Sequence, residues 1–376
     1  MPGRRKAVPQ RLDRAPELPA RARAPRNGAH PGTHSGTHSG IHSGDEQPPP
    51  SRHGARVATA SRTLWLLGLL AASGALVAMH HVEVDAVVEQ SVAAALGVLM
   101  ALGLSVRSGG RPLPAVALAV LVGAAAVATQ SPTLLAGAAV GTAVLAACLA
   151  VLGTTPASSY GRAVVEVVVA EALATAGALG VAGFRVGIDA DRFEYTVLAL
   201  AMATTVALVY RLGGGLHGLG RSGLVLVVAA MVLLVVGLAY TAALAHWGSP
   251  ELRHDVDSTR LWMHDRLGAV PHPIEVLLGV PALVWGVTMR DRRRQGWWVC
   301  AFGTTATAAA ATRLVGEDSW TVGTALGAAY SIVLGLVLGY VVIRVVPLLR
   351  GTPGRRAATL EDPGHRREPP RLQPLH

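Results

Sequence analysis

The sequence predicts an all-α membrane protein, a polytopic helical bundle. Three observations predict it. The chain of 376 residues is 51% hydrophobic and only 15% charged. From Leu64 onward, apolar runs long enough to cross a hydrocarbon layer of ~30 Å as helices follow one another. The loops between them alternate between arginine-rich and neutral or acidic, the asymmetry of a chain threaded back and forth through a bilayer. The formal charge of +10 would suggest a nucleic-acid partner in a soluble protein. Here it is concentrated in the tails and in alternate loops. Retention of arginine on the cytoplasmic side accounts for it, the lipid bilayer is the expected partner, and no nucleic acid is expected.

Residues 1–62 form a basic tail rich in Arg, Pro, Gly, Ser and His, without apolar periodicity. Disorder on the cytoplasmic side is expected there. Within it, residues 33–44 read THSG, THSG, IHSG. His34, His38 and His42 could chelate a soft divalent metal, but a low-complexity linker is the plainer reading. No cleaved signal peptide is expected, because the first apolar run starts behind this long charged tail and no small-residue cleavage site follows it. Lys6 is the only lysine, and all other basic chain positions besides histidine are arginine. That bias suggests a GC-rich bacterial genome and hence a bacterial plasma membrane.

The membrane domain is expected over residues 63–347, with about ten apolar segments. They fall at 64–82, 92–106, 113–129, 133–152, 164–183, 195–212, 224–247, 274–289, 297–314 and 322–346. The 113–152 pair is divided only by Gln130, Ser131 and Pro132, so about eight spans is the alternative. The loop with Glu83, Asp85 and Glu89 is acidic, whereas Arg107 and Arg111, Arg162, Arg211 and Arg221, and Arg290 to Arg294 mark the basic loops. Both termini are therefore expected in the cytoplasm. A second disordered tail is expected over 348–376.

The segment 164–183, VVEVVVAEALATAGALGVAG, carries Glu166 and Glu171. A carboxylate inside a span costs on the order of 2–3 kcal/mol, so by default it faces the bundle interior and has a partner. Ala170, Ala174, Ala178 and Ala182 follow Glu166 at steps of four and share a broad arc with Glu171, which suits close helix packing. Arg162 stands four residues before Glu166 and is its expected partner. Glu171 has no basic residue within reach in its own segment, and it is the sharper candidate for a proton or substrate site.

Trp297 and Trp298 lie just past the arginine cluster, where an interfacial anchor belongs. The weakly hydrophobic run behind them, with Thr304, Thr305 and Thr307, should be buried among helices. In the last segment Gly323, Gly327, Ser331, Gly335 and Gly339 recur at steps of four, a small-residue seam that fits either an internal helix or a second copy of the chain.

An amphipathic helix on the outer surface is expected at about 250–267. Ser249 suits the N-cap, Pro250 the first turn and Gly268 the stop. His254, Asp257 and His264 on this stretch are the weak candidates for metal ligation, and His272 with Glu275 forms a second candidate pair just beyond it. A solvated polar rim is the competing reading. Cys148 and Cys300 lie in different apolar runs and predict no disulfide. No dinucleotide, phosphate-loop or nucleophile motif occurs in usable context, so no cofactor is evident.

The expected activity is that of a small-solute or ion permease, with Glu171, Glu166, His272 and Glu275 as its site candidates. A membrane enzyme acting at the outer leaflet through His and Asp residues of 249–275, or a non-catalytic scaffold, are the alternatives. An enzyme is the weaker expectation.

Overall fold

A computed structural model of the chain describes residues 52–187, 189–212, 220–291, 296–315, 320–350 and 368–375. The HSG repeat lies outside the described residues, as does most of each tail. Among the described residues every regular element is a helix. They are α1 Arg52–His80, α2 Ala86–Arg107, α3 Pro112–Thr129, α4 Pro132–Leu152, α5 Tyr160–Gly183 and α6 Ala190–Arg211. Then come α7 Gly220–Trp247, α8 Pro250–Leu267, a π-helical turn Glu275–Gly279, α9 Val280–Arg290, α10 Gly296–Phe302, α11 Thr304–Thr312 and α12 Val322–Arg350.

Seven helices are long and apolar enough to cross a membrane: α2 to α6, Thr59–His80 within α1 and Val322–Val346 within α12. The protein is a multi-pass helical membrane bundle. The 113–152 stretch is two helices, since Pro112 and Pro132 each open one and Gln130, at φ 50°, turns the chain between them.

The 224–247 stretch lies in α7, a single helix of 28 residues. Two of the expected segments differ from single membrane-length helices. The 274–289 stretch opens with the π turn, in which Val280 donates its N–H to the carbonyl of Glu275. Pro281 follows, and a proline cannot donate to the carbonyl four residues back, so a widened turn there is the local remedy. The 297–314 stretch is interrupted at Gly303, where a Cβ would stand 2.6 Å from Leu283 Cδ1. Close backbone approach to α9 thus divides it into α10 and α11.

Caps set several starts. Asp85 accepts from the N–H of Val87 at 2.9 Å, Asp189 from Arg192 at 3.1 Å and Ser249 from Leu252 at 3.2 Å. Gly268 ends α8 in the left-handed region, at φ 75°.

α5 is the centre of the bundle, packed against α1, α2, α4, α9 and α11. Ala163, Ala170 and Ala174 are fully buried, and Gly177 leaves no room for a Cβ against Ala146 of α4. Every residue of α10 and α11 is buried. The short, threonine-rich stretch therefore faces protein, as its weak hydrophobicity demands.

The α12 seam is occupied from within the chain. A Cβ on Gly335 would stand 2.6 Å from Val280 Cβ, and one on Gly339 3.0 Å from Val284 Cβ. Gly327 and Gly323 lie equally close to the carbonyls of Val270 and Gly268, and Ser331 accepts the N–H of His272 at 2.7 Å. The seam thus clamps residues 268–284.

Three expectations about charged and aromatic residues are corrected. Trp297 and Trp298 are only 6% exposed and do not stand at the bundle surface. The Trp297 ring instead carries the Arg290 guanidinium 3.4 Å above it. Arg107 and Arg290, read as loop charges, are completely buried. And the C-terminal tail is not wholly apart from the bundle, because residues 368–375 pack against it through Leu372 and Leu375.

Candidate functional site

α5 brings two carboxylates into the interior, Glu166 at 8% and Glu171 at 4% exposure. Their surroundings differ. Glu166 sits one turn or so inside the helix start. Its oxygens accept the N–H and the hydroxyl of Thr155, both at 2.7 Å, and a guanidinium N–H of Arg371 at 2.7 Å. Its cationic partner is therefore Arg371, from the far C-terminal end of the chain, and not the nearby Arg162. The sequence order Arg162–Glu166 misled because the short α4–α5 loop folds back and supplies Thr155 first.

Glu171 lies near the middle of α5 with both carboxylate oxygens buried and without a hydrogen-bond partner among the described residues. The charges nearest in effect are Glu275 and Arg313. These two form an ion pair at 2.6 Å, with the Glu275 side chain 2% and the Arg313 side chain 16% exposed. Glu275 stands on the π turn and Arg313 just past the end of α11, so two breaks in regular helix deliver the pair. α11, π turn and α5 all pack on one another's neighbours, and α11 touches both of the others directly. π turns recur at functional sites because they aim one side chain away from the regular helical face.

Beside this cluster, toward α8, opens a cavity of about 540 Å³ between α6, α7, α8 and the start of the π turn. Its polar lining comprises Asp191 and Glu194 of α6, Arg253, Asp257 and Arg260 of α8, His272 and Thr305. Ile274, Leu278 and Ala309 form its apolar floor. Glu194 is close enough to feel the charges of His272, Asp191 and Glu275. Neither Glu171 nor Glu275 is on the cavity wall. The cavity floor is nonetheless within one helix turn of Glu275, since Ile274 and Leu278 flank it in sequence.

The structure thus brings Glu171 and Glu275 together and sets His272 at the mouth of the adjoining cavity, where it is exposed. It takes Glu166 away to another cluster. His254 and His264 are exposed on α8, and His264 meets only Asp265, at 3.9 Å. Among the described residues no three His, Cys, Asp or Glu side chains stand together so as to hold a metal ion. His254, Asp257 and His264 are not gathered into a ligand set. A further cavity, of about 870 Å³, is lined by His80, His81, Glu89 and Arg185. There His80 stacks on Trp320 at 4.1 Å and Arg185 pairs with Glu89.

Arg313 and Glu194 are the members that sequence reasoning missed. The one signal was an arginine following a long uncharged run, Ala306 to Thr312, with a buried acid expected nearby to pair with it.

Chemically, the cluster holds two carboxylates and one guanidinium in a dry interior. The guanidinium is engaged by Glu275. Glu171 can gain a partner only by taking up a proton, a cation or a donor group from outside. Comparison with known protein families, with characterised proteins and with solved structures finds no match to this chain.

Proposed function

We propose that the protein is a small-solute or ion permease, with Glu171 as the group that takes up a proton or the transported species. The observation that carries this is a buried carboxylate in the centre of a membrane bundle with neither oxygen hydrogen-bonded. Such groups are costly in a bilayer and are by default functional. The ion pair Glu275–Arg313 beside it and the 540 Å³ cavity above its neighbours support a route from one face of the bundle. Glu194 and His272 at that cavity are the natural relay groups. The full topology we propose has about ten passes, with α7, the π turn plus α9, and α10 plus α11 as the three additional ones. Alternating arginine-rich loops favour both termini in the cytoplasm of a bacterial cell.

The test is pH-gradient-driven uptake into proteoliposomes, run over a panel of labelled organic acids, amino acids and inorganic ions. At least one is taken up by the wild type and not by Glu171→Gln at equal reconstitution. No uptake across the panel, or uptake unchanged by the substitution, refutes the permease. Orientation is read separately: single cysteines at Glu83 and Ser258 react with an impermeant thiol reagent on intact cells, and those at Arg111 and Asp291 do not.

A second reading, an enzyme acting at the outer leaflet, rests on Asp257 and His272 lining the same cavity. Its turnover would survive Glu171→Gln and be lost in His272→Ala.

A further inference from the structure

The end of the bundle formed by the α4–α5 loop contains two fully buried arginines, Arg107 and Arg290. Within the bundle Arg107 donates to the carbonyls of Leu152 at 2.8 Å and Thr154 at 3.2 Å. Arg290 donates to the Thr154 hydroxyl at 2.7 Å and the Thr154 carbonyl at 3.1 Å. Among the described residues no carboxylate of the membrane helices pairs with either; Glu166, near enough to act on Arg107, is taken by Thr155 and Arg371. Two like charges thus share one buried region, an arrangement that demands further acceptors.

Residues 368–375 supply them. Glu368 pairs with Arg290 through both carboxylate oxygens. The carbonyls of Pro369, Pro370 and Gln373 all accept from one nitrogen of Arg107, at 3.3, 2.9 and 3.1 Å. The backbone N–H of Leu375 donates to the Arg107 carbonyl at 3.2 Å, and Arg371 reaches Glu166. Leu372 and Leu375 pack against the apolar core. The contact is thus made by a short peptide, turned at Pro370 to Gln373, through charge, main chain and apolar anchors together. Its prolines lower the ordering cost, and their carbonyls carry no competing N–H of their own. A cavity of about 1080 Å³ runs beside Glu368 to Leu372, so the peptide rests in a groove wider than itself.

We propose that this end of the bundle is a receptor for a turn-forming, proline-containing peptide that carries one Glu and one Arg. The chain's own residues 368–375 are its resident occupant, a tethered latch that a competing peptide of the same chemistry can displace. Because the peptide belongs to the same chain, its binding is intramolecular, with an effective concentration on the order of mM, so a site of modest intrinsic affinity stays occupied until a competitor arrives. The inference does not depend on the transported species.

The probe is a fluorescent peptide with the sequence of residues 368–376, EPPRLQPLH, titrated against purified protein in detergent. A chain ending at residue 367, with helicity and thermal unfolding as controls for folding, binds it. The full-length chain binds it at least about tenfold more weakly, because its own tail competes. A peptide carrying Glu368→Gln and Arg371→Gln binds the shortened chain at least about tenfold more weakly than the unaltered one. If the shortened chain does not fold, the full-length chain with Glu368→Gln and Arg371→Gln takes its place and must bind the unaltered peptide better than wild type does. No binding to either folded variant, or equal binding to wild type and variants, overturns the latch.

Discussion

Glu166 and Glu171 stand five residues apart on one helix, and both are buried. Burial alone therefore does not distinguish them; satisfaction does. Glu166 receives two hydrogen bonds from Thr155 and one from Arg371, so its charge is matched by donors at the end of the bundle. Glu171 receives none, and the nearest cation, Arg313, is already held by Glu275. A carboxylate that is fully donated to is a structural device, and removing it strands its donors. A carboxylate that is buried without donors costs stability, and removing it strands nothing. The same helix therefore joins a satisfied acid to an unsatisfied one, and substitutions can separate the roles proposed for them.

The largest effect falls on the setting of Glu171. Arg313→Met leaves Glu275 buried beside Glu171 with no counterion, and breaking a buried pair from one side costs about 3–5 kcal/mol. Thermal unfolding of the purified protein in detergent should show the loss, and the double substitution Glu275→Leu with Arg313→Met should recover most of it. A single variant as stable as wild type would mean that the pair is not formed and that Glu171 has a different environment.

Next comes the support of that setting from α12. Gly335→Leu thrusts a side chain into Val280, which directly follows the π turn carrying Glu275. Overpacking of this kind costs about 1–3 kcal/mol, while Leu334→Ile on the exposed face is nearly silent. Equal melting of the two variants would detach the glycine seam from the site.

Glu166→Leu should follow, at about 2 kcal/mol, because it leaves the N–H and hydroxyl of Thr155 and the Arg371 guanidinium without their acceptor. The same measurement applies. A loss smaller than that of Glu171→Leu would reverse the assignment of roles along α5.

Much of this contrast was open to sequence reading, and the reason is periodicity. Alanines at steps of four placed α5 in the centre, and glycines at steps of four placed α12 against a close neighbour. Ser249 and Gly268 bounded α8 through local capping chemistry. Pro132 separated α3 from α4 because a proline starts a helix more readily than it continues one. What stayed hidden lacks periodicity or lies far away in the chain. Hydropathy does not register the π turn at Glu275 or the interruption at Gly303, since both are matters of backbone packing within an unbroken apolar run. The partners of Glu275, Arg290 and Glu166 are Arg313, Glu368 and Arg371, the last two in a proline-rich tail whose composition predicts only disorder. Arginines at segment ends obey the same charge rule whether they face water or lie buried, so Arg107 and Arg290 read as loop residues.

The smallest stability effect is expected at Glu171 itself, and it sharpens the comparison most. Its carboxyl group forms no hydrogen bond among the described residues, so Glu171→Gln removes a titratable group without stranding a donor. Melting should move little. Glu171→Leu goes further: it replaces an unsatisfied buried polar group by an apolar one of similar size. Its stability should equal or exceed that of wild type, by about 1 kcal/mol. Paired with the loss expected for Glu166→Leu, this gives opposite signs for one substitution at two buried sites on one helix. Thermal unfolding of the two leucine variants side by side, in the same detergent, reads that sign directly. A clear loss for Glu171→Leu would mean that the side chain has a partner holding it in place. Glu171 would then be a second structural acid, and the permease would lose the residue on which it rests.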